Sequence, residues 1–342
     1  MMKDIPFIGD IQMRKSTLLN KGFLILIGFI LSSIALVNPV NAQGQNINLT
    51  LSFSNLADPG DDHYEGWLIV DGSPVSSGKF TINSENKLEN LEGNEITSFS
   101  VENVETDKVT KFVVSLEPNG DTDSIPALVK LLAGDFSNDQ ATITPNLGVT
   151  LSSASGSYIL ATPSNGGDTN ENSGIWFLDP SGPSAGLVLP DLTDTDWVYE
   201  GWVVINGIPV TTGKFNKTNE ADNFDEYSDN QGTPPFPGED FLSNAPSGVT
   251  FPTDISSGKA VISIEPRVDN SLDLFQFKPL VGDIPTDAVD HTKYSLADMS
   301  DTLATGSAEF SKVTSAPFNG VIEAFLLLMG IGIVFRIKSK KN

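Results

Sequence analysis

One stretch of this chain occurs twice. Tyr64-Glu65-Gly66-Trp67-Leu68-Ile69-Val70-Asp71-Gly72-Ser73-Pro74-Val75 returns 135 positions later as Tyr199-Glu200-Gly201-Trp202-Val203-Val204-Ile205-Asn206-Gly207-Ile208-Pro209-Val210. Both copies run on into Gly-Lys-Phe, at Gly78-Lys79-Phe80 and Gly213-Lys214-Phe215. A match of that length marks a tandem duplication, so the two halves must solve the same folding problem. Further pairs follow at an offset of 148: the strand-like Lys111–Pro118 against Ala260–Pro266, both ending in Glu-Pro, and Leu132-Ala133-Gly134-Asp135 against Leu280-Val281-Gly282-Asp283. Each copy closes on a Gly-Ser segment, Gly156-Ser157-Tyr158-Ile159-Leu160 or Gly306-Ser307-Ala308-Glu309-Phe310. The growth in offset places extra residues of repeat 2 within 216–256, a stretch rich in Asn, Asp, Gly and Pro that reads as an exposed insertion, mobile or lying on the other repeat.

The local pattern is that of strands. Ile47, Leu49, Leu51 and Phe53 alternate with polar residues, as one face of a half-buried strand requires. Asp71-Gly72 lies between two apolar runs and supplies the residues of a tight turn, so each Tyr-Glu-Gly-Trp copy opens a β-hairpin, with Trp67, Ile69 and Tyr64 expected to share a core. Residues 83–108 read as a long loop with one weak strand at Ile96–Val101. Many short strands with turn residues between them predict an all-β chain of two tandem immunoglobulin-like β-sandwich domains plus a C-terminal transmembrane helix. The expected boundaries are a signal peptide over 1–42, repeat 1 over 43–163, a linker over 164–173, repeat 2 over 174–314, a transmembrane helix over 318–337 and a cytoplasmic tail over 338–342.

The two ends carry the membrane argument. An apolar run over 23–38 follows Arg14, Lys15 and Lys21 and precedes Val40-Asn41-Ala42, the pattern of a cleavable secretory signal. Residues 318–335 are apolar except for Glu323 and a few polar positions; eighteen residues at about 1.5 Å each cover roughly 27 Å, close to a bilayer core. Arg336, Lys338, Lys340 and Lys341 follow and favour the cytoplasmic side, leaving the body of the chain outside and attached through the C-terminal helix.

That body is acidic. The whole chain has a formal charge of −24, and its basic residues gather at the ends. Such a surface repels phosphate, which excludes nucleic acid as a partner. Cysteine is absent, which removes disulfides, thiolate metal sites and cysteine nucleophiles. The only histidines are His63 and His291. His63 follows Asp61-Asp62 and reads as a solvated turn residue, so a histidine-based metal cluster is not expected.

The series Tyr-Glu-Gly-Trp, then Gly-Lys-Phe, then Val-Ser-Leu-Glu-Pro or Ile-Ser-Ile-Glu-Pro resembles the extracytoplasmic C-terminal domain of anti-sigma-K factors. The resemblance covers both repeats and implies their fold and an extracytoplasmic location. The chain then carries two tandem copies without the cytoplasmic domain that binds a sigma factor.

The acids found in both copies are Glu65 with Glu200 and Glu117 with Glu265. Paired carboxylates serve acid–base hydrolysis, but beside Trp67 and ahead of Pro118 or Pro266 they equally serve as acceptors for turn amides. Asp121 with Asp123, and Asp191, Asp194 and Asp196, offer oxygen ligands for calcium without the full spacing of a known loop. Asn48-Leu49-Thr50 and Asn216-Lys217-Thr218 fit the glycosylation sequon. The reading that results is a non-enzymatic, membrane-anchored extracytoplasmic protein for envelope interaction or sensing, with a membrane or envelope protein as partner. The alternatives are a regulatory protein signalling through a partner and a secreted hydrolase using Glu65 or Glu117.

Overall fold

A computed structural model describes residues 44–313 except 168, 183, 230, 231, 270 and 272. The expected signal peptide, transmembrane helix, cytoplasmic tail and Glu323 lie outside the described residues, among which no helix is long and apolar enough to cross a membrane. The first repeat supplies β1 (Gln45–Ser54), β2 (His63–Val70), β3 (Ser73–Ile82), β4 (Leu88–Glu89), β5 (Phe99–Val104), β6 (Val109–Glu117), β7 (Lys130–Ser137), β8 (Gln140–Pro145) and β9 (Ser155–Leu160). The second supplies β10 (Gly174–Trp176), β11 (Leu178–Asp179), β12 (Ser184–Ala185), β13 (Leu187–Val188), β14 (Trp197–Ile205), β15 (Ile208–Phe215), β16 (Gly238–Asp240), β17 (Lys259–Pro266), β18 (Phe277–Asp283), β19 (Tyr294–Asp298) and β20 (Thr305–Lys312).

The local expectations hold where the pattern is strong. Ile47, Leu49, Leu51 and Phe53 are all buried along β1. The hairpins β2–β3 and β14–β15 turn through Asp71-Gly72 and Asn206-Gly207, whose φ angles are all positive, as a two-residue turn matched to strand twist demands.

Strand order departs from two tandem domains. One sheet runs β4-β3-β2-β6-β7-β8-β20-β1-β5, the other β15-β14-β17-β18-β19-β9-β10-β16, with β13 also pairing with β9. From β3 to β5 and from β15 to β16 the two orders correspond, with β4 an extra edge strand in the first, but each repeat's closing strand lies in the sheet of the other. The last strand of repeat 2, β20, sits between β8 and β1, while the last strand of repeat 1, β9, sits between β19 and β10. β20 pairs with β1 over eight residues, from Ile47↔Lys312 to Ser54↔Thr305. The chain is all-β, but the expected pair of immunoglobulin-like β-sandwiches is corrected: the sheets curl into a half-barrel and a near-barrel. Apolar residues of both, from Ile47 and Phe112 to Ile262 and Phe310, form one continuous core.

Chain entropy gives a reason for the exchange. The exchanged pairing closes the short segment 161–173 between β9 and β10 and the long segment 55–304 between β1 and β20, whereas returning β9 to β1 and β20 to β10 would close 55–154 and 177–304. With loop cost growing as (3/2)RT ln n, the exchanged pairing is favoured by about 1 kcal/mol. Segment 161–173 is therefore a connection within one sheet rather than an interdomain linker. It is packed, with Thr162, Ser164 and Ser173 buried and the Thr162 amide donating to Glu171 at 3.2 Å.

The insertion is corrected as well. Within 216–256, Gly238–Asp240 forms edge strand β16, and Tyr227, Phe241 and Ile255 enter the core. The segment behaves as core because its few aromatic residues converge, with Tyr227 and Phe251 ring centroids 5.2 Å apart. In the loop over 83–108 the strand falls at Phe99–Val104, a few residues beyond the expected position.

Candidate functional site

Alternation along β2 sends Tyr64, Gly66 and Leu68 to one face and His63, Glu65 and Trp67 to the other. Tyr64 and Leu68 enter the main core, so Tyr64 does not share a face with Trp67 as expected. The second face is buried too. In register, His63 lies opposite Glu117, Glu65 opposite Ser115 on β6, and Glu65 opposite Lys79 on β3. A bulge lets this face form. Gly66 pairs with Gly78 and Trp67 with Ser76, leaving Ser77 as the extra residue. A Cβ on Gly66 would lie 2.4 Å from Ser77 Oγ and 2.7 Å from the Phe112 ring, which explains the glycine in Tyr-Glu-Gly-Trp.

The buried polar groups of this face are wired together. Trp67 Nε1 donates to Ser115 Oγ at 2.7 Å, and the Ser115 hydroxyl donates to Glu117 Oε1. The same carboxylate oxygen accepts the amide of Ala127 at 2.9 Å. The chain beyond Glu117-Pro118 thus folds back over the face and is tied to it. Glu65 Oε1 accepts the Ser76 hydroxyl, and its Oε2 lies 3.7 Å from Lys79 Nζ. Lys79 also donates to the Asp121 carbonyl at 2.7 Å and lies 3.2 Å from Asp121 Oδ2. Burial is the main cause that raises the Glu65 carboxyl above its ordinary range.

Repeat 2 rebuilds the network from its own residues. Trp202 Nε1 donates to Ser263 Oγ at 2.8 Å, and Ser263 donates to Glu265, which accepts the Phe275 amide at 3.1 Å. Thr211 donates to Glu200 at 2.6 Å, Lys214 Nζ lies 3.5 Å from Glu200 Oε2, and Lys214 reaches the Asp269 carbonyl at 2.7 Å. Gly201 sits at the matching bulge, where a Cβ would lie 2.2 Å from Thr212 Oγ1. Burial pushes Glu265 up to about 7. The four repeated acids therefore accept hydrogen bonds that hold strand to loop and strand to strand. Pro118 is exposed where the covering loop departs; Pro266 is the buried last residue of β17.

The repeats differ at one place on this face. Repeat 1 has His63, buried at the start of β2 rather than solvated, and repeat 2 has Val198 at the corresponding position opposite Glu265. Among the described residues, the grouping of three ligand-type side chains close enough to share an ion is His63, Glu65 and Asp121. The other aspartates considered for calcium are placed otherwise. Asp123 accepts the Ile125 amide at 2.7 Å, Asp191 accepts the Thr193 amide at 2.8 Å, and the Asp196 carbonyl accepts the Arg267 amide at 2.8 Å. Asp194 joins none of them in a metal-sized group.

Sequence reading missed Ser115, Ser263, Lys79, Lys214 and His63. Their signal was available for the first four, since each serine and lysine recurs in both copies. It also missed a buried acidic group in the insertion, where Glu239 and Asp240 are fully buried next to Asp222. Burial raises Asp222 to about 7 and Glu239 to about 8. Asp240 is engaged by the Ser164 amide at 2.8 Å and Trp176 Nε1 at 2.8 Å.

No family model, curated protein or solved structure matches the chain.

Proposed function

We propose that this is a non-enzymatic extracytoplasmic protein, held at the membrane through its apolar C-terminal run and displaying an acidic two-sheet body for interaction or sensing at the envelope. The observation that carries this reading is the use made of the repeated acids. Glu65, Glu117, Glu200 and Glu265 are buried in both halves and tie together strands and covering loops. A hydrolase would need such carboxylates open to substrate and water.

The path of the chain fits attachment at one end. β1 and β20 are antiparallel neighbours, and the Val313 amide donates to the Asn46 carbonyl at 2.8 Å. The two ends of the body therefore emerge side by side. The regulatory reading has one observation of its own in favour: β20, the strand ahead of the apolar run, completes the sheet of repeat 1, so a displacement of that run acts on the junction of the repeats.

The chain's lack of cysteine makes a direct test available. Asn138→Cys, in the exposed turn between β7 and β8, is expected to react with a membrane-impermeant maleimide in intact cells. Ser339→Cys is expected to react only after permeabilisation. The reverse pattern would overturn the proposed placement, and a hydrolytic activity lost in a folded Glu117→Gln variant would overturn the non-enzymatic reading.

A further inference from the structure

We propose that repeat 1 carries a divalent-cation site of the zinc class, formed by His63, Glu65 and Asp121, and that repeat 2 has no counterpart. One ligand atom from each of the three residues lies within 4.8 Å of the others, so small side-chain rotations bring them around a single ion. An imidazole with two carboxylates is a ligand set that zinc accepts, leaving a fourth position for water. Calcium would need six to eight oxygens and gains nothing from an imidazole.

A second observation points the same way. His63 is 5% exposed, and its Nε2 is buried with no hydrogen-bond partner. Glu65 Oε2 is likewise buried without one, although its sister oxygen is held by Ser76. Leaving a buried polar atom unpaired costs about 1–3 kcal/mol. Repeat 2 shows that the fold does not require that cost, because Val198 fills the same place on the same strand beside the same Trp-Ser-Glu network. An ion would satisfy both orphaned atoms at once. Ser76 already acts as the outer support that a metal-binding carboxylate needs, fixing Oε1 and leaving Oε2 free. Burial, and after it the Lys79 charge, lower the His63 imidazole below its ordinary range.

Lys79 is the competitor. Its ammonium lies between Glu65 and Asp121, and its side chain is 24% exposed, so it has a path to swing outward. Binding therefore exchanges one cation for another on the same carboxylates. In repeat 2 that exchange is not open, since Val198 stands where His63 would supply the imidazole.

The test uses the full chain in detergent, stripped with a chelator and titrated with cobalt(II) by visible absorption, then with zinc in competition. One equivalent is expected to bind. His63→Val, which installs the residue of repeat 2, should weaken binding by more than about 100-fold, the upper end of what even an outer-shell change costs. Lys79→Met should strengthen it. Both variants are expected to stay folded, checked by circular dichroism. Absence of saturable binding to the wild-type chain would overturn the proposal, as would unchanged affinity in folded His63→Val.

Discussion

Phe310 is the most direct probe of the exchanged strands. It belongs by sequence to repeat 2, yet it is buried in the sheet of repeat 1, with its ring centroid 5.2 Å from that of Phe136 on β7 in an edge-on arrangement. Replacing a buried phenylalanine by alanine costs about 3–5 kcal/mol, a large part of the roughly 5–15 kcal/mol that holds a domain folded. Phe310→Leu is the milder change that keeps the cycle measurable. An edge-to-face aromatic pair adds about 0.5–1.5 kcal/mol beyond area burial, so a double-mutant cycle between Phe136→Leu and Phe310→Leu should show coupling near 1 kcal/mol. The assay is urea unfolding of the full chain followed by tryptophan fluorescence, with all four Trp residues native. Coupling indistinguishable from zero would refute the exchange, because in two tandem domains these rings never meet. A chemical check runs alongside. Thr50 and Glu309 are exposed register partners on β1 and β20, so Thr50→Cys with Glu309→Cys should form an intramolecular disulfide in this otherwise cysteine-free chain.

The buried acids of repeat 2 make stability fall as pH rises. Burial lifts Asp222 and Glu265 to about 7 and Glu239 to about 8, so the folded chain holds protons that the unfolded chain releases at lower pH. Stability is fully present below the ordinary carboxylate range and is lost as pH rises through these values, by at most about 1.4 kcal/mol per pH unit for each group. Urea midpoints measured across that window should decline, and Glu239→Gln should flatten the decline; a midpoint that climbs towards pH 8 would contradict the assignment. Trp67→Phe and Trp202→Phe should each cost about 1–3 kcal/mol by leaving Ser115 or Ser263 short of its indole donor, in similar amounts because the two networks match. Denaturation in which one variant is neutral and the other severe would break that equivalence.

The site itself was only partly legible in the chain. Tyr-Glu-Gly-Trp and Glu-Pro stand out because they recur, and their recurrence reflects a bulge that admits only glycine at Gly66 and Gly201 and a carboxylate that anchors the returning loop. His63 was misread for a physical reason. Asp61 is exposed and Asp62 half-buried in the turn, whereas His63 itself is buried where β2 pairs with β6 and Asp121 approaches, contacts between segments remote in sequence.

By itself the sequence determined the duplication, the hairpins with their Asp-Gly and Asn-Gly turns, the inward face of β1 and the all-β class. These are local properties, set by side-chain alternation and by backbone angles that few residues accept. Which sheet receives β9 and which receives β20 was decided only in the tertiary structure. Both strands carry the same Gly-Ser pair at their second and third residues, and either could hydrogen-bond with β1 or β10, because main-chain pairing carries no label of the repeat it came from. The choice fell to chain connectivity, where one very short and one very long closure together cost less than two of intermediate length, and to the shared core that the exchange completes.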